Sequence, residues 1–142
     1  MTREPIYQAL FDLLSTASVF NRASRKLPHW ECMSSGDQPA LFVVQKHESP
    51  VQQTNFPPVW RLTVDVYLYA RSSDENVPPS SILNPLIDAV CNVLRYKHGE
   101  NQTLCGLVDY ARIAGSIETD EGLLGDQSVV IIPVEMLTVQ TP

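Results

Sequence analysis

In residues 59–69, VWRLTVDVYLY, apolar side chains recur at every second position from Trp60 to Leu68. Trp60, Leu62, Val64, Val66 and Leu68 fall on one side; Arg61, Thr63, Asp65, Tyr67 and Tyr69 fall on the other. Period-2 alternation sends successive side chains to opposite faces of a strand, so this segment has to lay one face on a core. At about 3.3 Å per residue it spans on the order of 36 Å, long for a chain of 142 residues. The opposite face is amphipathic, and its two tyrosines, Tyr67 and Tyr69, are placed for a surface or an interface.

The rest of the chain has to build around that strand. Near the start, Ile6, Leu10, Leu13 and Ala17 recur at helical spacing, with Phe11 and Leu14 widening the stripe. Pro5 stands where a missing N–H costs little, and the helix is expected to end between Thr16 and Ser18. A second helix is expected to open at Asn84-Pro85, with a first turn from Ser81 as the alternative. Leu86, Ile87, Val90, Val93 and Leu94 form its buried stripe, and His98-Gly99 its stop. Residues 19–27 read as an edge strand charged by Arg22, Arg25 and Lys26. ALFVVQ (40–45) reads as a short strand. KHESPVQQTNFPPV (46–59) holds three of the 11 prolines and is expected not to pair regularly.

The last third predicts a β-hairpin: strand 107–118, a turn over TDEGLLGDQ (119–127), and strand 128–139. Pro133 cannot donate to a ladder, which puts that last strand at an edge or a bulge. Val129, Ile131 and Leu137 oppose Val130, Ile132, Val134 and Met136, so the strand is apolar on both faces and requires cover on both. Strands grouped rather than alternating with helices predict an α+β class: a largely antiparallel four- to five-stranded sheet with two helices packed on one face, in a single domain over 1–142. Cover for the second face comes either from the chain's own long loops or from a neighbouring subunit.

Ten Lys and Arg against 16 Asp and Glu leave a net charge of −6, which argues against broad binding to a phosphate backbone. No stretch approaches the roughly 20 apolar residues of a membrane span. The start, MTREPIYQALFDLL, has no unbroken apolar run, so a cytosolic protein that touches no membrane is expected. Cys32, Cys91 and Cys105 are widely spaced, and His29, three positions before Cys32, finds no second pair to complete a zinc set. Reduced structural thiols are expected.

Four carboxylates crowd the final turn: Glu118, Asp120, Glu121 and Asp126. A calcium loop wants oxygen ligands at alternating positions, and Asp120-Glu121-Gly122 lacks that alternation. Paired carboxylates serve acid–base chemistry only beside a nucleophile or an apolar pocket, and nothing nearby in sequence supplies either. His29, His47 and His98 stand in expected loops with no Cys or Ser at motif spacing, and no G-x-S-x-G elbow or glycine-rich phosphate loop occurs. No catalytic, cofactor or metal residue is therefore expected. The acidic turn reads as a solvated or partner-facing loop, and Arg22, Arg25 and Lys26 as a solvated face or half of a salt-linked interface.

The order of these features carries a resemblance. EPIYQALFDLL, then PALFVVQ after an aromatic loop, then LTVDVYLYAR, LNPLIDAVCNVL, and GLVDYARIAGSIETDEG closing on IPVEML together resemble the tail terminator (tail completion) proteins of long-tailed bacteriophages. The likeness covers nearly the whole chain at the level of pattern. It implies a non-enzymatic virion protein with no cofactor, assembled into a ring, typically a hexamer. Such a ring caps the tail tube protein and offers a docking face to the head connector protein, with DNA passing through unbound. It also implies residence in the virion tail, after assembly in the host cytoplasm. The expected interface residues are Arg22, Arg25, Lys26, Tyr67, Tyr69, Glu118, Asp120, Glu121 and Asp126. Another head–tail connector or minor tail protein, or a small ligand-binding regulatory α+β module, stays open as an alternative.

Overall fold

The computed structural model describes residues 2–52 and 55–139; Met1, Gln53 and Thr54 of the proline-rich stretch, and residues 140–142 lie outside them. Helix α1 (Arg3–Leu14) is followed by β1 (Arg22–Ser24), two single 3₁₀ turns (Trp30–Cys32 and Ser35–Asp37), β2 (Ala40–Val51) and β3 (Val59–Arg71). Then come α2 (Pro79–Leu94), β4 (Val108–Ile113), β5 (Glu118–Leu124) and β6 (Gln127–Thr138). The strands form one sheet in the order β1-β2-β3-β6-β4, with β5 also paired to β6. Every pairing is antiparallel except β1–β2. The class is α+β, with six strands where four to five are expected.

The sixth strand comes out of the expected hairpin. β6 presents one long edge, and two strands share it: β4 along Val134–Thr138 and β5 along Gln127–Ile131. The expected strand 107–118 breaks between them, opposite Pro133. Ala114 N–H donates to the Pro133 carbonyl (3.1 Å), and a strand residue points its N–H and C=O to the same side. The donor that proline lacks would therefore face the gap where the partner strand changes. Gly115 makes the close crossing, since a Cβ there would sit 3.2 Å from Pro133 Cγ at φ +112°. Most of the expected turn is strand, and the reversal itself takes only Gly125 (φ +70°) and Asp126, between the paired Leu124 and Gln127.

Two other expectations are corrected. β2 continues through residues 46–51, pairing as far as Val51↔Val59 with a bulge between Gln45 and His47. Pro50 is tolerated there because β1 covers only Ala40–Phe42, leaving the rest of β2 an edge. Helix α2 opens at Pro79 instead of Asn84-Pro85, and Pro85 lies inside it. Proline at the first helical position explains the start. Pro85 and Ser81 are both exposed, so the Ser81 carbonyl that loses its partner faces water.

Both helices pack on the same side of the sheet. Ile6, Tyr7, Leu10 and Leu14 of α1 and Leu83, Leu86, Val90 and Leu94 of α2 join one cluster with Leu62, Val64, Val66 and Leu68 of β3 and Val130, Ile132, Val134 and Met136 of β6. The side of β3 assigned to the core by its alternation is the side that is buried. α1 ends at Leu14, yet Ala17 is still buried beyond it.

Candidate functional site

Among the described residues the other face of the sheet is closed at one corner only. There the segment between β1 and β2 folds across, bringing Leu27, Trp30 and Met33 onto Ala40, Phe42, Tyr67, Tyr69 and Val129 as a second, smaller core. Tyr69 is fully enclosed: its ring tilts against Phe42 at 5.3 Å and its hydroxyl donates to the Pro28 carbonyl at 3.2 Å. Burial, with the neighbouring Tyr67 second, pushes the Tyr69 phenol pKa upward. Beneath this roof Gln38 and Gln127 exchange amide hydrogen bonds of 3.0 and 2.8 Å, and Gln127 also donates to the Ala70 carbonyl. This buried pair ties the loop to the first residue of β6.

Beyond the roof lies an open groove of about 710 Å³. Trp30, Tyr67, Val129 and Ile131 form its floor and one wall, and β5 forms the other. Leu123, 91% exposed, stands on that wall. The alternation predicts Tyr67 and Tyr69 on this face, and they are; both pack at the roofed corner and line the groove, Tyr69 buried and Tyr67 half-buried. Val129 and Ile131 explain why β6 is apolar on both sides. Trp30 and Leu123 escape a reading of the sequence, although a Leu-Leu pair between two glycines in an acidic turn is the local signal.

Further along the face the groove gives way to charge. Arg61 and Arg112 converge on Glu135 at 3.0 and 3.6 Å, and Tyr110 donates to the same carboxylate at 2.9 Å. Lys46 lies 3.6 Å from Asp65, whose second oxygen is buried without a partner. These are cross-strand pairs on a half-wet surface, contributing tenths of a kcal/mol to about 1 kcal/mol each. Among the described residues no group of three or more His, Cys, Asp and Glu is placed to hold a metal ion. His29 is taken up locally, accepting from the Glu31 N–H at 3.2 Å. The described cysteines are all free thiols.

The charged candidates divide between the two edges of the sheet. Arg22 and Arg25 flank the β1 edge and are engaged within the chain. Arg22 pairs with Asp37 at 3.6 Å and covers the Phe42 ring, while Arg25 meets Glu4, Gln8 and Gln45. Lys26 is exposed and forms no ion pair among the described residues. Glu118, Asp120 and Glu121 lie on β5 and Asp126 in its turn, at the other edge, and none of the four forms an ion pair either. The outer edge of β5 pairs with nothing among the described residues. An open edge lined by carboxylates resists indiscriminate strand pairing and admits a cationic partner. Chemically this is a surface for recognition.

No helix among the described residues is long and apolar enough to cross a membrane. No family model matches the chain, and no curated protein is similar to it. One solved structure aligns over 100% of this chain and 99% of its own at 14% identity and a TM-score of 0.49, a likeness too slight to carry an argument.

Proposed function

We propose that this protein is a tail terminator, a structural protein that assembles head to tail into a ring at the end of a phage tail tube and presents a docking face to the head connector. The observation that carries the proposal is the outer edge of β5, which pairs with nothing among the described residues and bears three carboxylates beside a groove roofed only in part. An apolar groove with an open strand for a wall leaves both side-chain and main-chain contacts unmade. A second copy supplies them, and because the patch on the partner is a different one, the contact is heterologous and propagates until it closes. The order of sequence features shared with tail terminators selects this ring among the assemblies such a surface allows. Tyr67 and the acidic residues are its contact residues, with Lys26 at the β1 edge exposed to a further partner and Arg22 and Arg25 held within the chain. DNA passes through the bore without a dedicated site, as suits a net charge of −6.

The test is assembly and its consequence. Native mass spectrometry of the purified chain is expected to give a closed oligomer. Added to a polymerising tail tube protein, that oligomer should stop elongation and narrow the distribution of tube lengths in electron micrographs. A chain that stays monomeric at high concentration and leaves tube length unchanged would sink the proposal.

A further inference from the structure

A second cleft, of about 610 Å³, opens between the C-terminal end of α2 and β4. Arg95, Lys97, His98 and Arg112 line it together with Tyr96 and Tyr110. Its charge stands out once the ion pairs are set aside. Of the ten Lys and Arg, Arg3, Arg22, Arg25, Lys46, Arg61 and Arg112 are paired with carboxylates of the chain. Among the described residues Lys26, Arg71, Arg95 and Lys97 are not, and two of these four fall in this one cleft. Arg112 adds a third cation: its side chain is 63% exposed, stacks over the Tyr110 ring at 4.1 Å and shares Glu135 with Arg61.

The matching surplus of acid is on β5 and its turn, where four carboxylates with no ion pair among the described residues stand within nine residues. The cleft and the acidic strand lie at opposite ends of the long β6 edge, since β4 pairs with its Val134–Thr138 half and β5 with its Gln127–Ile131 half. Two complementary patches at opposite ends of one edge are the arrangement that a head-to-tail contact requires. We infer that the cleft between α2 and β4 is the receptor for the acidic β5 edge of a neighbouring copy. This rests on the ring reading and names the two surfaces that form its joint.

A nucleic-acid backbone fits the cleft less well. Phosphate tracks call for a stripe of basic residues, whereas here Glu100 is in the wall and Glu135 lies behind Arg112. Two or three isolated cations suit a short carboxylate-bearing strand, and the pairing fixes register and partner orientation more than affinity.

Charge exchange in the full-length chain tests this. Arg95→Glu with Lys97→Glu, and separately Asp120→Lys with Glu121→Lys, should each raise the concentration needed for assembly at least tenfold by light scattering, with unchanged circular dichroism. All four substitutions in one chain should restore assembly. A fluorescent peptide of residues 118–126 should bind the Asp120→Lys/Glu121→Lys protein, lose at least tenfold in affinity at high salt, and lose binding when its acids are replaced by amides. If the wild-type chain assembles and Arg95→Glu/Lys97→Glu leaves its mass unchanged, the receptor is elsewhere and the ring reading stands. A closed dimer that obeys the charge exchange keeps the joint and overturns the ring. A single-stranded oligonucleotide that binds the cleft tighter than the peptide overturns the choice of partner. A solitary wild-type chain that binds no peptide removes both.

Discussion

The two faces of this sheet are built from the same strands and closed by different means. On the helix-covered face Leu62, Val64, Val66, Leu68, Val130, Ile132, Val134 and Met136 have no exposed surface at all. On the opposite face the neighbouring positions of those strands hold Asp65, Tyr67, Val129, Ile131 and Glu135, all half-buried. One face was closed by two helices whose apolar stripes match it. The other received one short loop, a band of cross-strand ion pairs, and an open groove. A face closed within the chain sets stability, and a face left part open is where another molecule is expected to be felt.

The largest effect should come from the closed face. Leu62→Ala removes a side chain with no exposure and leaves a cavity between sheet and helices, costing about 3 kcal/mol in a denaturant titration. At the roofed corner Met33, 4% exposed, touches Phe42 and Tyr69 through a loop with less support. Met33→Ala is expected to cost about 2 kcal/mol, and much of the consequence should be local, read as new protease cleavage between β1 and β2 at temperatures where the sheet stays folded. Equal costs and a single shared transition would break the distinction between the faces.

A smaller effect lies at the polar seam of the closed face. Tyr7 donates to Glu48 at 2.7 Å and Arg3 meets the other oxygen at 2.7 Å, which ties α1 to β2. Burial, then the bond to Glu48, drives the Tyr7 phenol well above its ordinary pKa. For Glu48, burial pulls upward, but the bonds from Arg3 and Tyr7 outweigh it and hold the carboxyl below its usual range. The folded state thus holds the phenolic proton more tightly and the carboxyl proton less tightly than the unfolded chain. Tyr7 contributes stability in full below about pH 10 and loses it as pH rises further; Glu48 contributes above about pH 4.3 and loses it as pH falls. Tyr7→Phe should cost about 1 kcal/mol at neutral pH and flatten the alkaline limb of the stability curve. An unchanged alkaline limb would assign that limb to another group.

How much of this was legible in the sequence follows from the same contrast. The alternation of 59–69 names the buried side of β3 correctly because a two-period pattern reports which face meets a core. The stripe from Leu86 to Leu94 does the same for α2. What stayed hidden depended on partners far away in the chain. The sequence places the start of α2 at Asn84-Pro85 because Pro85 carries the local signature of a first helical residue; in the folded chain it lies exposed inside the helix, which opens at Pro79. Residues 119–127 read as a turn because TDEGLLGDQ carries two glycines and no alternation; Glu118–Leu124 is a strand because β6 offers it an edge. The acidic residues were visible as a group, but the basic cleft was not, since Arg95 and Arg112 are brought together only when Gln102 lays its carbonyl on the Ala111 N–H at 2.8 Å. Nor does composition reveal that Arg22 and Arg25 are already satisfied by Asp37 and Glu4.

The smallest effect on folding should come from the residue that the open face leaves most exposed. Leu123 is 91% exposed on a strand whose one partner among the described residues is β6, so in the isolated chain its apolar surface contributes almost nothing. Leu123→Ser should therefore shift the unfolding midpoint within the roughly 0.5 kcal/mol typical of surface changes. In an assembly the same side chain is the natural anchor of the β5 edge, where burying a leucine is worth about 2 kcal/mol, equivalent to some thirtyfold in the association constant. Analytical ultracentrifugation of the Leu123→Ser chain beside the wild type separates the two quantities. Weakened self-association with unchanged stability would place the side chain in the contact between copies. Unchanged self-association would leave the groove unoccupied by a neighbour and move the joint away from this wall of the sheet.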